Sequence, residues 1–268
     1  MDILVTFDEN YIPPFKTMLK SFMASNHNYD TTFWLIHGGI DENYLNDLND
    51  FCKSYGAKFK QISISEKYFE DAKITDRYPQ SMYYRLLAPK ILPESLDRIL
   101  YIDPDTLIIN KLDELWNMEF PKGKIYAAAS HAIIGNLSDN INKLRLDTDH
   151  SYFNTGVILM DLKKARKIVD MDEIIKTVNE SKDIELILPD QDIFNTMYGK
   201  YTIEIPDEIY NYDARFYPAY LLNSGNKHDL DWIMSNTCIL HFCGKRKPWL
   251  AQGYNLFTSL YKYFMYKK

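Results

Sequence analysis

Cysteine is scarce and unpatterned in this 268-residue chain. Cys52, Cys238 and Cys243 are odd in number and lack paired metal-ligand spacing, so neither a disulfide framework nor a thiolate metal site is indicated. Reduced thiols in a cytoplasmic protein are the expectation. Positive charge is also in deficit. With 31 Lys and Arg against 37 Asp and Glu, the net charge is -6, which argues against broad electrostatic attraction to nucleic acid. Long apolar runs are missing at the start, where "MDILVTFDENY" has an acid at position 2 and an apolar run of five residues. It reads as neither a secretory signal nor a membrane span. Repeats, low-complexity stretches and linkers are absent too. One domain over 1–268 is expected, with the helix at about 254–268 peripheral to it.

Aromatic residues are plentiful: 21 Tyr, 14 Phe and 4 Trp. Most are expected in the core, although tyrosine can also stack on a sugar or base while hydrogen-bonding through its hydroxyl. The hydrophobic fraction of 46% and charged fraction of 25% are those of an ordinary globular protein, and the length permits a large core.

The first third alternates strand and helix patterns. "ILVTF" (3–7), "TFWLIHGG" (32–39) and "AKFKQISI" (57–64) read as strands. Between them lie a helix with Pro13 and Pro14 in its first turn, and one with Asp41 as N-cap and Gly56 closing it. Further strands are expected at 98–102, 125–130, 155–161, 201–205 and 237–242. Further helices are expected at 81–92, capped by Ser81, and at 162–182, 190–198 and 254–266. This order predicts an α/β fold with a mixed, mostly parallel central sheet flanked by helices. The stretch 206–235 reads as a long irregular excursion. In such sheets ligands gather beyond the carboxyl ends of the strands. Asp8 and Asn10 follow the first strand, Asp103 and Asp105 follow the fourth, and His241 lies in the last.

Several short segments carry chemistry. In "RILYIDPDTLI", Asp103 and Asp105 end an apolar strand side by side, where two carboxylates repel unless a cation or a proton intervenes. Mg²⁺ or Mn²⁺ would satisfy them, but an Asp-Pro-Asp turn is the plain alternative. "HFCGKRKPW" offers His241 as a nitrogen ligand that suits Mn²⁺, Gly244 for close backbone approach and Lys247 as a point charge for phosphate. It also reads as a strand end with a solvated basic loop. "YFNTGVILMDL" places Asn154 and Thr155 where they can orient hydroxyls or form a strand-entry turn. "LPDQDIFN" places Asp190, Gln191 and Asp192 at a helix start, where capping explains the acids but does not require Gln191. Arg85, on the otherwise apolar "SMYYRLLAP", needs an anionic partner.

In this order the segments resemble glycosyltransferase family 8, the bacterial lipopolysaccharide galactosyl- and glucosyltransferases related to glycogenin. "TFDENY", "YYRLLAP", "YIDPDTLI", "FNTGVILMDL", "LPDQDIFN" and "HFCGKRKPW" look like its successive motifs, from the first strand to Trp249. The resemblance implies a GT-A fold and retaining transfer of a hexose from UDP-glucose or UDP-galactose to a saccharide or glycolipid acceptor. It implies that Asp103, Asp105 and His241 hold Mn²⁺, with Mg²⁺ as the alternative. Asp8 and Asn10 would contact uridine, Tyr11 would stack on uracil, and Gly244 and Lys247 would grip the diphosphate. Arg85, Asp103, Asn154, Asp190 and Gln191 would contact the sugar, beside Thr155. Loops 75–80 and 243–248 are candidates to close over the donor.

Two rivals come from other classes. A haloacid-dehalogenase-type phosphatase wants Thr four positions after its first Asp, where this chain has Leu107. A non-catalytic nucleotide-sugar-binding protein would not need every segment intact. The acceptor is not legible. The terminal "GYNLFTSLYKYFMYKK" combines Leu256, Leu260, Tyr263 and Phe264 with terminal lysines; it reads as an ordinary packed helix, and weak rest on a membrane surface is the alternative.

Overall fold

The computed structural model describes residues 1–72, 79–130, 136–180, 187–250 and 255–267, with the backbone alone for 136–140. A seven-stranded sheet runs through its centre. Its strands are β1 (Asp2–Thr6), β2 (Thr32–His37), β3 (Lys58–Ser63), β4 (Arg98–Ile102), β6 (Tyr126–Ser130), β7 (Phe153–Asp161) and β8 (Thr202–Ile205), in the order β3-β2-β1-β4-β7-β6-β8. A second sheet joins β5 (Thr106–Ile108), β10 (Ile239–His241) and β9 (Tyr212–Asp213).

The apolar run of β1 suits a central strand covered on both faces. Ile3 and Val5 pack with Phe15, Met18, Leu19 and Phe22 of α1 (Ile12–Ser25), whereas Leu4 belongs to the opposite core with Tyr83 and Leu87. Alternation along the strand produces that division. β3 is an edge strand exposed along much of its length, and its lysines suit a solvated edge. The start of α2 (Glu42–Ser54) is capped by Asp41, whose side chain accepts from the Asn43 N–H, and Gly56 leaves the helix at φ +78°. Both expectations hold.

The strand directions decide what meets. β1, β2, β3 and β4 are parallel, but β7 is antiparallel to both β4 and β6, with Ile102 opposite Val157. The residues that open β7 therefore lie beside those that follow β4.

Several expectations need correction. Ser81 is not a cap: it lies inside a 3₁₀ turn (Gln80–Tyr83) that leads into α3 (Tyr84–Ile91). The expected 162–182 helix is two helices, Leu162–Ala165 and Met171–Glu180, while 181–182 lie outside the described residues. The excursion 206–235 holds three short helices and β9, elements too short for periodicity to register. β5 and β9 are also additions. The terminal helix (Thr258–Tyr266) buries Phe257, Tyr261 and Phe264 against the small sheet, with Leu260 partly buried, but leaves Leu256 and Tyr263 exposed. Many tyrosines are core residues as expected, with Tyr83, Tyr101, Tyr212, Tyr220 and Tyr261 fully enclosed. No described helix is long and apolar enough to cross a membrane.

Candidate active site

Every residue singled out above as a site candidate, except Asp192, borders one cleft of about 860 Å³. That volume falls within the usual range for small-molecule sites. The cleft opens at the carboxyl ends of β1 and β4 and at the amino end of β7. Asp8, Asn10 and Tyr11 come from the β1–α1 turn, where the Asp8 carboxylate caps the Asn10 N–H at 2.9 Å. Asp103 and Asp105 span the β4–β5 turn, and Asn154 and Thr155 open β7. The small sheet delivers the last wall. β10 pairs with β5 so that His241 lies opposite Thr106, next to Asp105.

Asp103, Asp105 and His241 each place a ligand atom within 4.8 Å of the others. His241 Nε2 lies 3.7 Å from Asp103 Oδ2 and 3.3 Å from Asp105 Oδ1, while Nδ1 is bonded to Asn211 Oδ1 at 2.8 Å. A histidine whose second nitrogen is held this way has the usual arrangement of a metal ligand. Two carboxylates and an imidazole suit Mn²⁺, and also Mg²⁺. The donor set fits a divalent ion.

Protein cations flank the carboxylates. Arg85 Nη1 pairs with Asp103 Oδ1 at 3.0 Å, Arg85 Nε faces Asp190 Oδ2 at 3.7 Å, and Lys247 Nζ bonds Asp105 Oδ2. Arg85 thus has the anions its buried position requires, and its guanidinium also lies over the Tyr101 ring. Burial raises the pKa of Asp103, outweighing the attraction of Arg85, and Asp105 adds repulsion. Burial opposes the charge of Asp105 as well, but there Lys247 and His241 prevail and hold its pKa below the usual value. Burial sets the charge of both carboxylates at risk, and the cations beside them oppose that cost. Burial, with Asp105 next, raises the Tyr11 hydroxyl to about 12, so it remains protonated beside the Trp249 ring.

Asp190, Gln191 and Asp192 lie in the first turn of a helix (Pro189–Tyr198) whose N-cap residue, Leu188, makes no side-chain capping bond. Asp190 Oδ2 accepts from Thr155 Oγ1 at 2.8 Å, and Gln191 Oε1 accepts from Asn154 Nδ2 at 3.2 Å. Asp192 turns away from this group. Fully buried, it binds Arg145 through both oxygens at 2.6 and 2.9 Å and accepts from Tyr152 at 2.5 Å and the Ile187 N–H at 2.9 Å.

Sequence reasoning passed over several residues here. Asn211 and Arg215 come from the 206–235 stretch, with Arg215 bordering the cleft and paired to buried Asp213 at 2.6 Å. No pattern in "YNYDARF" marks them. Gly156 is required by space: a Cβ there would lie 2.3 Å from His241 Cε1. Gly244 adopts φ +82°, and a Cβ there would meet Arg215 Nη1 at 2.7 Å. Residues 243–248 border the cleft through Cys243, Gly244, Lys245 and Lys247. The other expected closing loop, 75–80, lies outside the described residues except for its last two positions.

The model of glycosyl transferase family 8 matches residues 2–253. General stress protein A of Bacillus subtilis (strain 168) is 24% identical over 99% of this chain and 93% of its own length. A lipopolysaccharide 1,2-glucosyltransferase of Escherichia coli is 27% identical over 90% of this chain and 71% of its own length. Among solved structures, the galactosyltransferase LgtC in complex with donor and acceptor sugar analogues has a TM-score of 0.81 at 21% identity, covering 99% of this chain and 95% of that one. The fold is GT-A, as the mixed central sheet and its flanking helices also indicate.

Proposed function

This chain belongs to glycosyl transferase family 8, and we propose that it is a retaining hexosyltransferase, with 1–268 acting as one unit. It moves glucose or galactose from UDP to a saccharide or glycolipid acceptor. Its setting is cell-surface glycan synthesis, including lipopolysaccharide, at the cytoplasmic face of the membrane, with at most weak peripheral contact. The observation that carries this reading is the convergence of Asp103, Asp105 and His241 within 4.8 Å on the wall of a cleft that also presents Lys247. That pairing suits a diphosphate better than an uncharged ligand.

Asp103, Asp105 and His241 would hold Mn²⁺, with Mg²⁺ as the alternative. When bound, the ion supplies Lewis-acid stabilisation of the departing diphosphate. Lys247, bonded to Asp105 and to the Phe242 carbonyl, adds positive charge beside the same group. Charge placed where it develops favours the transition state over the bound substrate. Gly244 lets the backbone approach the phosphates. Asp8 and Asn10 contact the ribose or uracil, and Tyr11 stacks on the base. On the sugar side, Arg85 holds Asp103 and Asp190 in position, while Asn154, Asp190 and Gln191 orient hydroxyls.

Retention through two displacements needs a carboxylate nucleophile. The amide of Gln191 is a poor one, and Asp190 Oδ2 is already engaged by Thr155 and faces Arg85. Both facts favour attack on the face the diphosphate leaves. The bond from the anomeric carbon to the phosphate oxygen breaks, the bond to the acceptor oxygen forms, and the acceptor's proton passes to the departing phosphate. A glycosyl adduct trapped on Asp190 would instead establish double displacement.

The test is UDP release from UDP-glucose and UDP-galactose with and without Mn²⁺, comparing the wild type with Asp105→Ala. Metal-dependent turnover of one donor, lost in the variant, is expected. Tight binding of UDP-sugar without turnover toward any acceptor would identify a binding protein, and no metal-dependent UDP binding at all would refute the transferase reading.

A further inference from the structure

We propose that Asn211 is a positioning residue that sets which nitrogen of His241 carries the proton and, through Asn154, which end of the Gln191 amide faces inward. The proposal rests on the metal and donor reading above.

Asn211 is fully buried between the short helix Asp207–Tyr210 and β9. Both ends of its amide are used. Its Oδ1 lies 2.8 Å from His241 Nδ1, and its Nδ2 donates to Asn154 Oδ1 at 2.8 Å. Asn154 Nδ2 in turn donates to Gln191 Oε1 at 3.2 Å. A single line of hydrogen bonds therefore joins a metal-ligand candidate to the amide beside Asp190.

An isolated amide can be turned end for end with little change in shape. This line cannot be reversed, because one member is anchored to the backbone. The Gly156 N–H donates to Asn154 at 2.8 Å, and a backbone N–H has no other role, so the Asn154 atom facing it must be the oxygen. The Asn211 atom facing that same oxygen must then be the NH₂. Asn211 consequently turns its oxygen to His241, which requires a proton on Nδ1. In the neutral ring Nε2 keeps its lone pair, and Nε2 is the nitrogen that faces Asp103 and Asp105. At the other end, the Asn154 NH₂ engages the Gln191 oxygen, so the Gln191 NH₂ is the end turned away from Asn154. One peptide N–H thus sets the polarity of four side chains.

Partners of this kind on the second nitrogen of a metal-bound histidine change metal affinity by about 10–100-fold. Asn211→Leu removes both of the residue's bonds. Asn211→Asp keeps an acceptor for His241 but removes the donor to Asn154. With UDP present and Mn²⁺ binding followed by electron paramagnetic resonance, Asn211→Leu is expected to weaken Mn²⁺ by about 10–100-fold. Asn211→Asp is expected to match or exceed the wild type in Mn²⁺ affinity while its kcat falls. Circular dichroism checks that each variant is folded. Wild-type Mn²⁺ affinity in both variants would overturn the positioning role alone, whereas a wild type that binds neither Mn²⁺ nor UDP would remove the functional reading beneath it. A measurement free of folding concerns uses the wild type, ¹⁵N-labelled at histidine, with UDP and diamagnetic Cd²⁺. A proton on His241 Nδ1 supports the proposal, and a proton on Nε2 overturns it.

Discussion

Gly156→Ala tests how tightly the fold constrains the site, because one methyl group meets the His241 ring head-on. The added Cβ would stand 2.3 Å from His241 Cε1, 2.9 Å from Nδ1 and 2.9 Å from Asp103 Oδ2. Ordinary contact begins near 3.4 Å, so the ring or the strand must shift by about 1.1 Å. Neither has room. The ring is held at Nδ1 by Asn211, and its backbone is paired to Thr106, while the Gly156 carbonyl accepts the Asp103 N–H at 2.7 Å. Overpacking of this kind destabilises by about 1–3 kcal/mol. A misplacement of about 1 Å at a reacting centre reduces activity by roughly 100-fold. The assay is Mn²⁺-dependent UDP release from the preferred donor, with thermal unfolding measured alongside. A kcat/KM within threefold of wild type and an unshifted Tm would refute the reasoning, since Asp103 and His241 would then tolerate a displacement that the proposed role of both as ligands of one ion does not allow.

Three further outcomes are expected. Asp192→Asn takes the charged partner from partly exposed Arg145 and should destabilise the protein by about 1.5–3 kcal/mol in urea denaturation, whereas a change under about 0.5 kcal/mol would mean the pair is structurally idle. Lys247→Met removes a charge-assisted partner of the proposed diphosphate, worth about 1.5–3 kcal/mol, so UDP affinity by calorimetry should fall roughly tenfold or more; unchanged affinity would place the phosphates elsewhere. Burial favours neutral His241, but Cys243 and Asp105 outweigh it and raise its pKa well above the ordinary value. The stability this group contributes to the metal-free protein is therefore fully present below about 6.5, the unfolded value, and is lost as pH rises through the folded value. Binding an ion must displace that proton, so Mn²⁺ affinity should increase with pH across the neutral range, and a flat profile would contradict a ligand role for His241.

Much of the fold was legible because its signals are local. β4 begins and ends where "RILYI" does, and Asp41 and Gly56 bound α2 as their chemistry predicts. Ser81 misled because a residue that suits a cap also suits the 3₁₀ turn it occupies. The break between Leu162–Ala165 and Met171–Glu180 was missed because apolar spacing continues across it. The sequence by itself determined the ordered motifs, and with them the family, because each motif keeps its chemistry within a few consecutive residues. It also pointed to the buried Arg85 needing an anion. Only the tertiary structure decided that Asn154 and Thr155, which precede a strand, meet Asp103 and Asp105, which follow one. That meeting depends on β7 running antiparallel to β4, a pairing that no short window of sequence encodes. The same holds for Asn211. Its neighbours in the chain say nothing of its role, which arises because β9 pairs with β10 and brings a buried amide between His241 and Asn154.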